Sequence, residues 1–214
     1  MTATLASAQG AAPAADSSRV ANPQTAGPAS VDITVAYGFW IFLLSDIVMF
    51  SAVFAAYAVL SPQTAGGPSG HSLFDLRNVG IETLSLLFSS FSCGVAVLAA
   101  EHRRMATFYS GMALTFTLGA VFLGMEISEF ARMIGAGAGP SRSAFLSAFF
   151  SLIGLHGAHI TVGLLWLCFL VAQTLVKGPQ PFVLRRLGCF SLFWHALDIV
   201  WVALLSLVYL MGAR

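Results

Sequence analysis

Five long apolar stretches separated by short polar breaks dominate the chain. They lie near residues 37–60, 79–100, 106–130, 144–176 and 187–211. Each stretch is long enough to cross the hydrocarbon layer of a bilayer, which takes roughly 17 to 25 residues of helix. Backbone amides and carbonyls in lipid must pair within their own segment, so each stretch is predicted to be a helix. The pattern therefore predicts an all-α integral membrane bundle of five transmembrane helices.

The breaks between the stretches are short and rich in turn residues or charges. They contain Ser61-Pro62-Gln63, Glu101-His102-Arg103-Arg104, Gly137-Ala138-Gly139-Pro140 and Lys177-Gly178-Pro179-Gln180-Pro181. Such connections make consecutive helices antiparallel and leave no room for a soluble domain. We therefore predict one membrane domain over residues 37–214. Residues 1–36 lack the continuous apolar core of a signal peptide, and we expect them to form a disordered, uncleaved tail.

The composition is that of a membrane protein, and it argues against a nucleic-acid-binding protein and against cysteine-based metal, redox or disulfide sites. Hydrophobic residues make up 57% of the chain and charged residues 9%, with a mean hydropathy of +0.84. The formal net charge of +1 provides no basic field for nucleic acid, so no nucleic-acid partner is expected. Cys93, Cys168 and Cys189 occur singly, without the spacing of metal, redox or disulfide sites, and are interpreted as small apolar fillers.

The positive charges indicate how the helices are oriented. With five crossings, one side of the membrane receives Arg19, Arg103, Arg104, Lys177, Arg185 and Arg186, and the other receives Arg77, Arg132, Arg142 and Arg214. Positively charged residues in short loops favour the cytoplasmic side. This predicts a cytoplasmic N-terminus and a periplasmic C-terminus.

Five of the nine acidic residues fall inside the predicted spans. A charge at the centre of a membrane helix costs about 2.5–3.5 kcal/mol on insertion scales, so these side chains must be neutral, paired or turned towards protein. Asp46 lies about ten residues into the first span, which places it near the bilayer midplane. It could be a neutral acid in a hydrogen bond between helices or a group that handles protons. The five acids are Asp46, Glu82, Glu126, Glu129 and Asp198.

Three pairs of polar residues lie three positions apart, so each pair shares a helix face. One interpretation is a di-iron or zinc site within the bundle, although the Glu-x-x-His motifs of carboxylate metal sites are missing. The favoured interpretation is a polar network that fixes helix register, with no metal, catalytic or cofactor site. The pairs are Glu126 with Glu129, His156 with His159, and His195 with Asp198.

Two further patterns concern packing. Trp194 and Trp201 share a stripe of the last helix with Asp198, and that stripe suits packing or contact with a lipid chain. Small residues recur at spacings of four, three and four in the fourth span, which predicts close packing of this helix against another. They are Ser147, Ser151, Gly154 and Ala158.

Four ordered motifs from residue 37 onward resemble subunit III of haem-copper terminal oxidases. The motifs are Tyr37-Gly38-Phe39-Trp40 with Ser45-Asp46 and Phe50, then Thr117-Leu118-Gly119 with Ser128-Glu129-Phe130, then His156-Gly157-Ala158-His159, and finally Trp194-His195-Ala196-Leu197-Asp198-Ile199-Val200-Trp201. The five predicted helices are similar to the five-helix form of cytochrome bo-type ubiquinol oxidases, whereas the cytochrome c oxidase form usually has seven. The segments similar to that branch are Gly66-Gly67-Pro68-Ser69-Gly70, Ile81-Glu82-Thr83, Gly124-Met125-Glu126-Ile127 and Gly139-Pro140-Ser141-Arg142-Ser143.

The resemblance implies a non-catalytic subunit of a proton-pumping complex in the bacterial inner membrane. Such a subunit holds no redox centre, while haem and copper belong to subunit I and ubiquinol is used by the complex. It would stabilise subunit I, contact other oxidase subunits, hold phospholipid and support proton uptake. Asp46 occupies the position of the family's buried carboxylate, which is glutamate in many members.

Three alternatives stay open at the level of sequence. The chain could be subunit III of a cytochrome c oxidase, a membrane di-metal oxidoreductase, or a small proton-coupled transporter centred on Asp46. A transporter would usually contain an inverted repeat, and none is evident.

Overall fold

The computed structural model describes residues 31–63 and 76–210. Within these ranges the chain folds into five long helices, and each is long and apolar enough to cross a membrane. The predicted all-α transmembrane fold is confirmed. The helices are α1 (Val31–Leu60), α2 (Leu76–Glu101), α3 (Met105–Gly135), α4 (Ala144–Lys177) and α5 (Pro181–Leu204), and a π-helical segment, Leu205–Leu210, continues α5.

Several helices extend beyond the predicted apolar stretches. Of the residues predicted as a tail, 31–36 belong to α1, and residues 1–30 lie outside the described ranges. α5 begins at Pro181, where a break was predicted, because proline fits the first turn of a helix and loses no needed hydrogen bond there. The similar segment 66–70 and the C-terminal Arg214 also lie outside the described ranges.

Four helices form a ring, and α1 lies against its outside. α2 packs on α3 and α5, and α4 packs on the same two helices from the other side. α1 contacts α4 and α5. The tight α2–α3 turn is made by Arg103, whose φ of 57° is left-handed, and is closed by a 2.8 Å hydrogen bond from the Arg104 amide to the Ala99 carbonyl.

α1 is covered far less by the rest of the chain than α2 is. In the most apolar 18-residue window of each helix, 11% of the α1 residues are buried, compared with 50% of the α2 residues. One seam of α1, which includes Leu43, Phe50 and Tyr57, is buried, while large side chains such as Trp40 and Val48 are exposed. Most of the α1 surface is therefore left for lipid or for another protein.

The small-residue stripe predicted on α4 does not pack against another helix of the described chain. Ser147, Ser151 and Ala158 are exposed, and Gly154 is half-buried. The stripe therefore faces outward in the described chain, and close packing by it stays a prediction for a contact with another chain. The spacing defines a helix face but does not say which face turns inward.

The close approach occurs instead between α2 and α3. A Cβ atom at Gly111 would stand 2.8 Å from the Ala96 Cβ, so only glycine fits at this crossing. Three α2 hydroxyls donate to backbone carbonyls of α3 at 2.9–3.0 Å. We call these three donors the serine ladder: Ser85 to Leu118, Ser89 to Thr115 and Ser92 to Gly111.

Candidate functional site

The first polar contact inside the spans joins Asp46 of α1 to His159 of α4. The Asp46 Oδ2 and His159 Nε2 atoms are 3.7 Å apart, which is ion-pair distance but too long for a direct hydrogen bond. His159 Nδ1 lies 2.8 Å from the Leu155 carbonyl oxygen, so Nδ1 carries a hydrogen and donates it. Nε2 is left facing the Asp46 carboxyl. Each side chain is 18% exposed, so the contact reaches the outer surface of the bundle beside α1.

The second cluster contains three buried carboxyls from α2 and α3. Glu82, Glu126 and Glu129 are 1%, 5% and 8% exposed, and they lie within electrostatic range of one another. Arg132 lies in the last turn of α3, and its Nη2 atom is 3.4 Å from the Glu129 Oε1. A cavity of about 290 Å³ opens where α2 begins and α3 ends. Its lining includes Asn78, Glu82, Ser128, Glu129 and Arg132.

Glu126 also lies at a close contact between α3 and α4. A Cβ atom at Gly157 would stand 2.7 Å from the Glu126 Oε1. Within the described residues, the other carboxyl oxygen of Glu126 has no hydrogen-bond partner. The glycine therefore makes the space in which this carboxyl lies.

The third cluster is centred on Ser90, an uncharged residue that its local sequence does not mark as part of a site. The Ser90 Oγ of α2 lies 2.5 Å from the His195 Nδ1 of α5, and the same hydroxyl is hydrogen-bonded to Asp198. The serine stands between the imidazole and the carboxyl, whereas a nucleophilic triad needs the imidazole in the middle. This arrangement ties α2 to α5 and is not a hydrolytic site. The adjacent polar residues Ser89 and Ser90 within an apolar helix were the signal that could have revealed it.

His156 lies in an aromatic enclosure and not in the polar clusters. It is fully buried and stacks on Trp201 with a centroid distance of 5.3 Å, and Phe50 and Phe122 meet it edge-on. Neither of its ring nitrogens has a hydrogen-bond partner among the described residues. His156 and His159 therefore occupy different surroundings although they share a helix face.

Trp194 and Trp201 are both buried, and each donates its indole N–H to a hydroxyl of α2. The Trp194 Nε1 lies 3.1 Å from the Ser89 Oγ, and the Trp201 Nε1 lies 3.0 Å from the Thr83 Oγ1. The two hydroxyls were missed in the sequence because serine and threonine in apolar helices usually bond to their own helix backbone.

The structure thus divides the predicted polar residues among separate places. Asp46 meets His159, the three glutamates lie together, His195 and Asp198 meet at Ser90, and His156 lies among aromatic rings. Among the described residues, no group of three or more histidine, cysteine, aspartate or glutamate side chains is arranged to hold a metal ion. The contacts that the structure shows join helices: Asp46 with His159 joins α1 to α4, and Ser90 with His195 joins α2 to α5.

Comparison with known proteins identifies the family. The family model described as cytochrome c oxidase subunit III matches residues 14–213. Cytochrome bo(3) ubiquinol oxidase subunit 3 of Pseudomonas aeruginosa is 51% identical over 177 residues, covering 83% of this chain and 85% of that protein. The protein of the same name from Pseudomonas putida is 47% identical over 82% of this chain and 84% of its own length. Quinol oxidase subunit 3 of Bacillus subtilis is 43% identical over 82% of this chain and 86% of its own length. As its motifs predicted, the chain belongs to the cytochrome c oxidase subunit III family.

Proposed function

We propose that this chain is the non-catalytic subunit III of a proton-pumping haem-copper oxidase that takes electrons from ubiquinol. The observation that carries the proposal is the 51% identity, over most of both chains, to a protein named as subunit 3 of a ubiquinol oxidase. Haem and copper then belong to subunit I, and this chain supports oxygen reduction without a redox centre of its own.

The proposed role is to stabilise subunit I and to sustain proton uptake at the interface. The support is the poorly covered surface of α1 together with the Asp46–His159 pair, which reaches that surface within the spans. A polar pair at this depth is costly against lipid tails, and a neighbouring protein would shield it. We therefore place the contact with subunit I on the α1 side of the bundle.

Removal of this chain from the complex tests the proposed role. The haem spectra should stay nearly intact and the initial ubiquinol turnover substantial, while the time before inactivation shortens. Loss of all haem signal after clean removal would contradict a supporting role. Oxidation of reduced cytochrome c in place of ubiquinol would favour the cytochrome c oxidase alternative.

Substitution of Asp46 tests its part in proton uptake. Asp46→Asn removes the ionisable group at nearly constant volume, so we expect fewer turnovers before inactivation and slower proton uptake. Asp46→Glu keeps a carboxyl and should recover most of the loss. Glu101→Gln is the control and should change neither quantity, because Glu101 is an exposed acid at the end of α2, outside the polar clusters. If turnover lifetime and proton uptake are unchanged in Asp46→Asn, Asp46 has only a structural role.

The chain is a multi-pass membrane protein, and we propose that it lies in the bacterial inner membrane with its N-terminus in the cytoplasm. The support is that five positive residues lie in or near the α2–α3 and α4–α5 connections: Arg103, Arg104, Lys177, Arg185 and Arg186. Reporter fusions at Gly139 and Gly178 test this, since the first connection should be periplasmic and the second cytoplasmic. The reverse result would mean that the N-terminus is periplasmic, contrary to the proposal.

A further inference from the structure

The three buried glutamates extend inward from a cavity at the end of the bundle that carries the α3–α4 connection. The Glu82 and Glu129 side chains line this cavity of about 290 Å³. Counted along the helices, Glu82 lies about 9 Å from the start of α2 and Glu129 about 9 Å from the end of α3. Glu126 lies about 14 Å from the end of α3. The cavity therefore connects the outer two carboxyls to the solution at this end.

The charges at this end do not balance if all three carboxyls are ionised. Arg132 contacts Glu129 with a side chain that is 57% exposed, so its charge is shared with solution. Three carboxylates against one guanidinium leave two negative charges uncompensated within the membrane spans, where an unpaired charge is costly. Protons remove that charge without any further ligand.

Glu126 provides an independent sign of a small hydrogen-bonding ligand. Its side chain is 5% exposed, and its Oε2 atom has no hydrogen-bond partner among the residues that the structure describes. A neutral carboxyl needs an acceptor for its O–H, whereas an ionised carboxyl needs donors. A water molecule satisfies either state, because it both donates and accepts hydrogen bonds. The unpartnered oxygen therefore points to water inside the cluster.

Tyr209 reaches the cluster because the end of α5 is π-helical. In a continuous α-helix Tyr209 would lie about 140° round the helix from the buried Leu204. In the π-helical segment Leu205–Leu210, hydrogen bonds join residues five apart, which brings Tyr209 back towards the buried face. Tyr209 is 2% exposed and lies within electrostatic range of all three glutamates. Single π-helical turns are frequent at functional sites, and this one adds a hydroxyl to the carboxyl cluster.

Aromatic rings close the cluster towards the middle of the membrane. The Phe122 and Trp201 rings meet edge to face at a centroid distance of 4.7 Å, and the Tyr209 ring lies 6.2 Å from Trp201. His156 stacks on Trp201 and lies about 18 Å from the start of α4, which is deeper than Glu126. Within the described part of the chain, the cavity is thus the opening of the polar region, and the aromatic rings form its inner wall.

We propose that Glu82, Glu126 and Glu129 form a hydrated proton-holding site that exchanges protons with solution through the cavity. A hydrated proton in the cavity transfers its proton to a carboxylate oxygen of Glu82 or Glu129, an O–H bond forms, and a water molecule remains. The reverse step returns the proton to solution. Other titratable or charged groups around the carboxyls and Tyr209 come from α1, α3, α4 and α5: Tyr57, Arg132, His156 and Tyr209 itself.

The site is separate from the role proposed for Asp46. Asp46 lies at the outer surface beside α1, whereas the glutamates lie on α2 and α3 and open at the end of the α3–α4 connection. By the orientation proposed above, that end is periplasmic, which is opposite to the side from which protons are taken up. The inference goes beyond the proposed function and assumes from it only the assembled oxidase.

Infrared spectroscopy of the intact oxidase, in proteoliposomes of one orientation, tests the proposal. The C=O stretch of protonated carboxyls is followed after a pH jump on one side, and the difference between wild type and Glu82→Gln isolates the Glu82 signal. That signal should respond to a jump on the side of the α3–α4 connection and not on the other side. The signal of Glu101, from Glu101→Gln, should respond on the side of the α2–α3 turn, because Glu101 is exposed there. Glu129→Gln serves if Glu82→Gln fails to assemble, as judged by co-purification and haem content.

Two further pairs of variants test the route and the tyrosine. Ser128→Trp fills the cavity and should delay or abolish the response of the Glu82 signal, whereas Leu165→Trp, at an exposed α4 position, should leave it unchanged. Tyr209→Phe removes the hydroxyl at nearly constant volume and should shift the frequency of the carboxyl band. Tyr37→Phe, at an exposed position of α1, should not shift it.

Three results would overturn the proposal. A Glu82 signal that responds on neither side would mean that the carboxyls are permanently neutral and only structural. A response from the side of the α2–α3 turn alone would mean that protons arrive through the interior of the bundle. Loss of the signal on addition of Ca²⁺ at constant pH would indicate a cation site. None of these readouts depends on turnover, so failure of this site is distinguishable from failure of the proposed function.

Discussion

The serine ladder allows a prediction whose magnitudes differ from one rung to the next. Ser85→Ala, Ser89→Ala and Ser92→Ala each remove one donor from α2. The carbonyls that lose this donor lie inside α3 and retain their bonds within that helix. Only at Ser89 does the hydroxyl also accept a hydrogen bond from a buried indole, that of Trp194.

The expected cost follows from what each substitution leaves behind. Hydrogen bonds between membrane helices contribute about 0.6 kcal/mol on average, which is the cost expected for Ser85→Ala and for Ser92→Ala. Ser89→Ala also leaves the Trp194 N–H buried without an acceptor, and such an orphaned donor costs about 1–3 kcal/mol. Ser89→Ala should therefore lower the free energy of unfolding more than Ser85→Ala or Ser92→Ala does.

The assay is SDS titration of the purified oxidase complex in mixed micelles, with unfolding of this chain followed at each SDS fraction. Ser128→Ala is the matched control, because Ser128 is exposed and its hydroxyl bonds within its own helix. In a Trp194→Phe background the indole N–H is absent, so the cost of Ser89→Ala should fall to about 0.6 kcal/mol. If Ser89→Ala costs no more than Ser92→Ala, or the same in both backgrounds, the reasoning is refuted.

Two further predictions use the same titration. Gly157→Ala places a Cβ atom 2.7 Å from a Glu126 carboxyl oxygen and should destabilise the chain by about 1–3 kcal/mol, whereas Gly124→Ala, with nothing within 4 Å, should be neutral or slightly stabilising. Equal effects of the two would contradict this account of the α3–α4 contact. Ser90→Ala removes the hydroxyl shared by its two α5 partners and should cost about 1–3 kcal/mol, and Ser90→Thr, which keeps a hydroxyl, should recover most of it. A threonine variant as unstable as the alanine variant would show that the shared hydroxyl is not the cause.

The membrane helices were predictable because the bilayer imposes both a length and a hydrophobicity. Their ends were less so. The start of α5 at Pro181 and the last turn of α3 around Arg132 contain polar or turn residues that fit helix ends at the membrane surface. A search for apolar stretches excludes such residues even when the backbone continues as a helix.

The choice of packing faces could not be predicted from spacing alone. Ser85, Ser89, Ser92 and Ala96 in α2 have the same spacing of four, three and four as the stripe on α4, yet the α2 stripe is the one that meets another helix. To decide which of two equal patterns is buried, one must know where the neighbouring helices lie. The spacing of residues within one helix does not specify those positions.

The contacts of the polar residues also could not be predicted from their spacing. Spacing by three correctly indicates that His156 and His159 share a broad face of α4. It does not reveal that one ring meets Asp46 while the other lies among aromatic side chains. The hydroxyls of Ser90 and Thr83 carry no charge, so they did not stand out among the buried acids and imidazoles.

The serine ladder also bears on the order in which the chain can assemble while it is being synthesised. Its bonds join residues 19 to 33 positions apart, whereas the indole bonds from α5 to α2 reach back 105 and 118 positions. Nearby contacts form with little loss of chain entropy, so the α2–α3 hairpin can close before α5 has left the ribosome. Ser89 then donates to α3 while its lone pairs remain available, and the incoming Trp194 finds its acceptor already positioned.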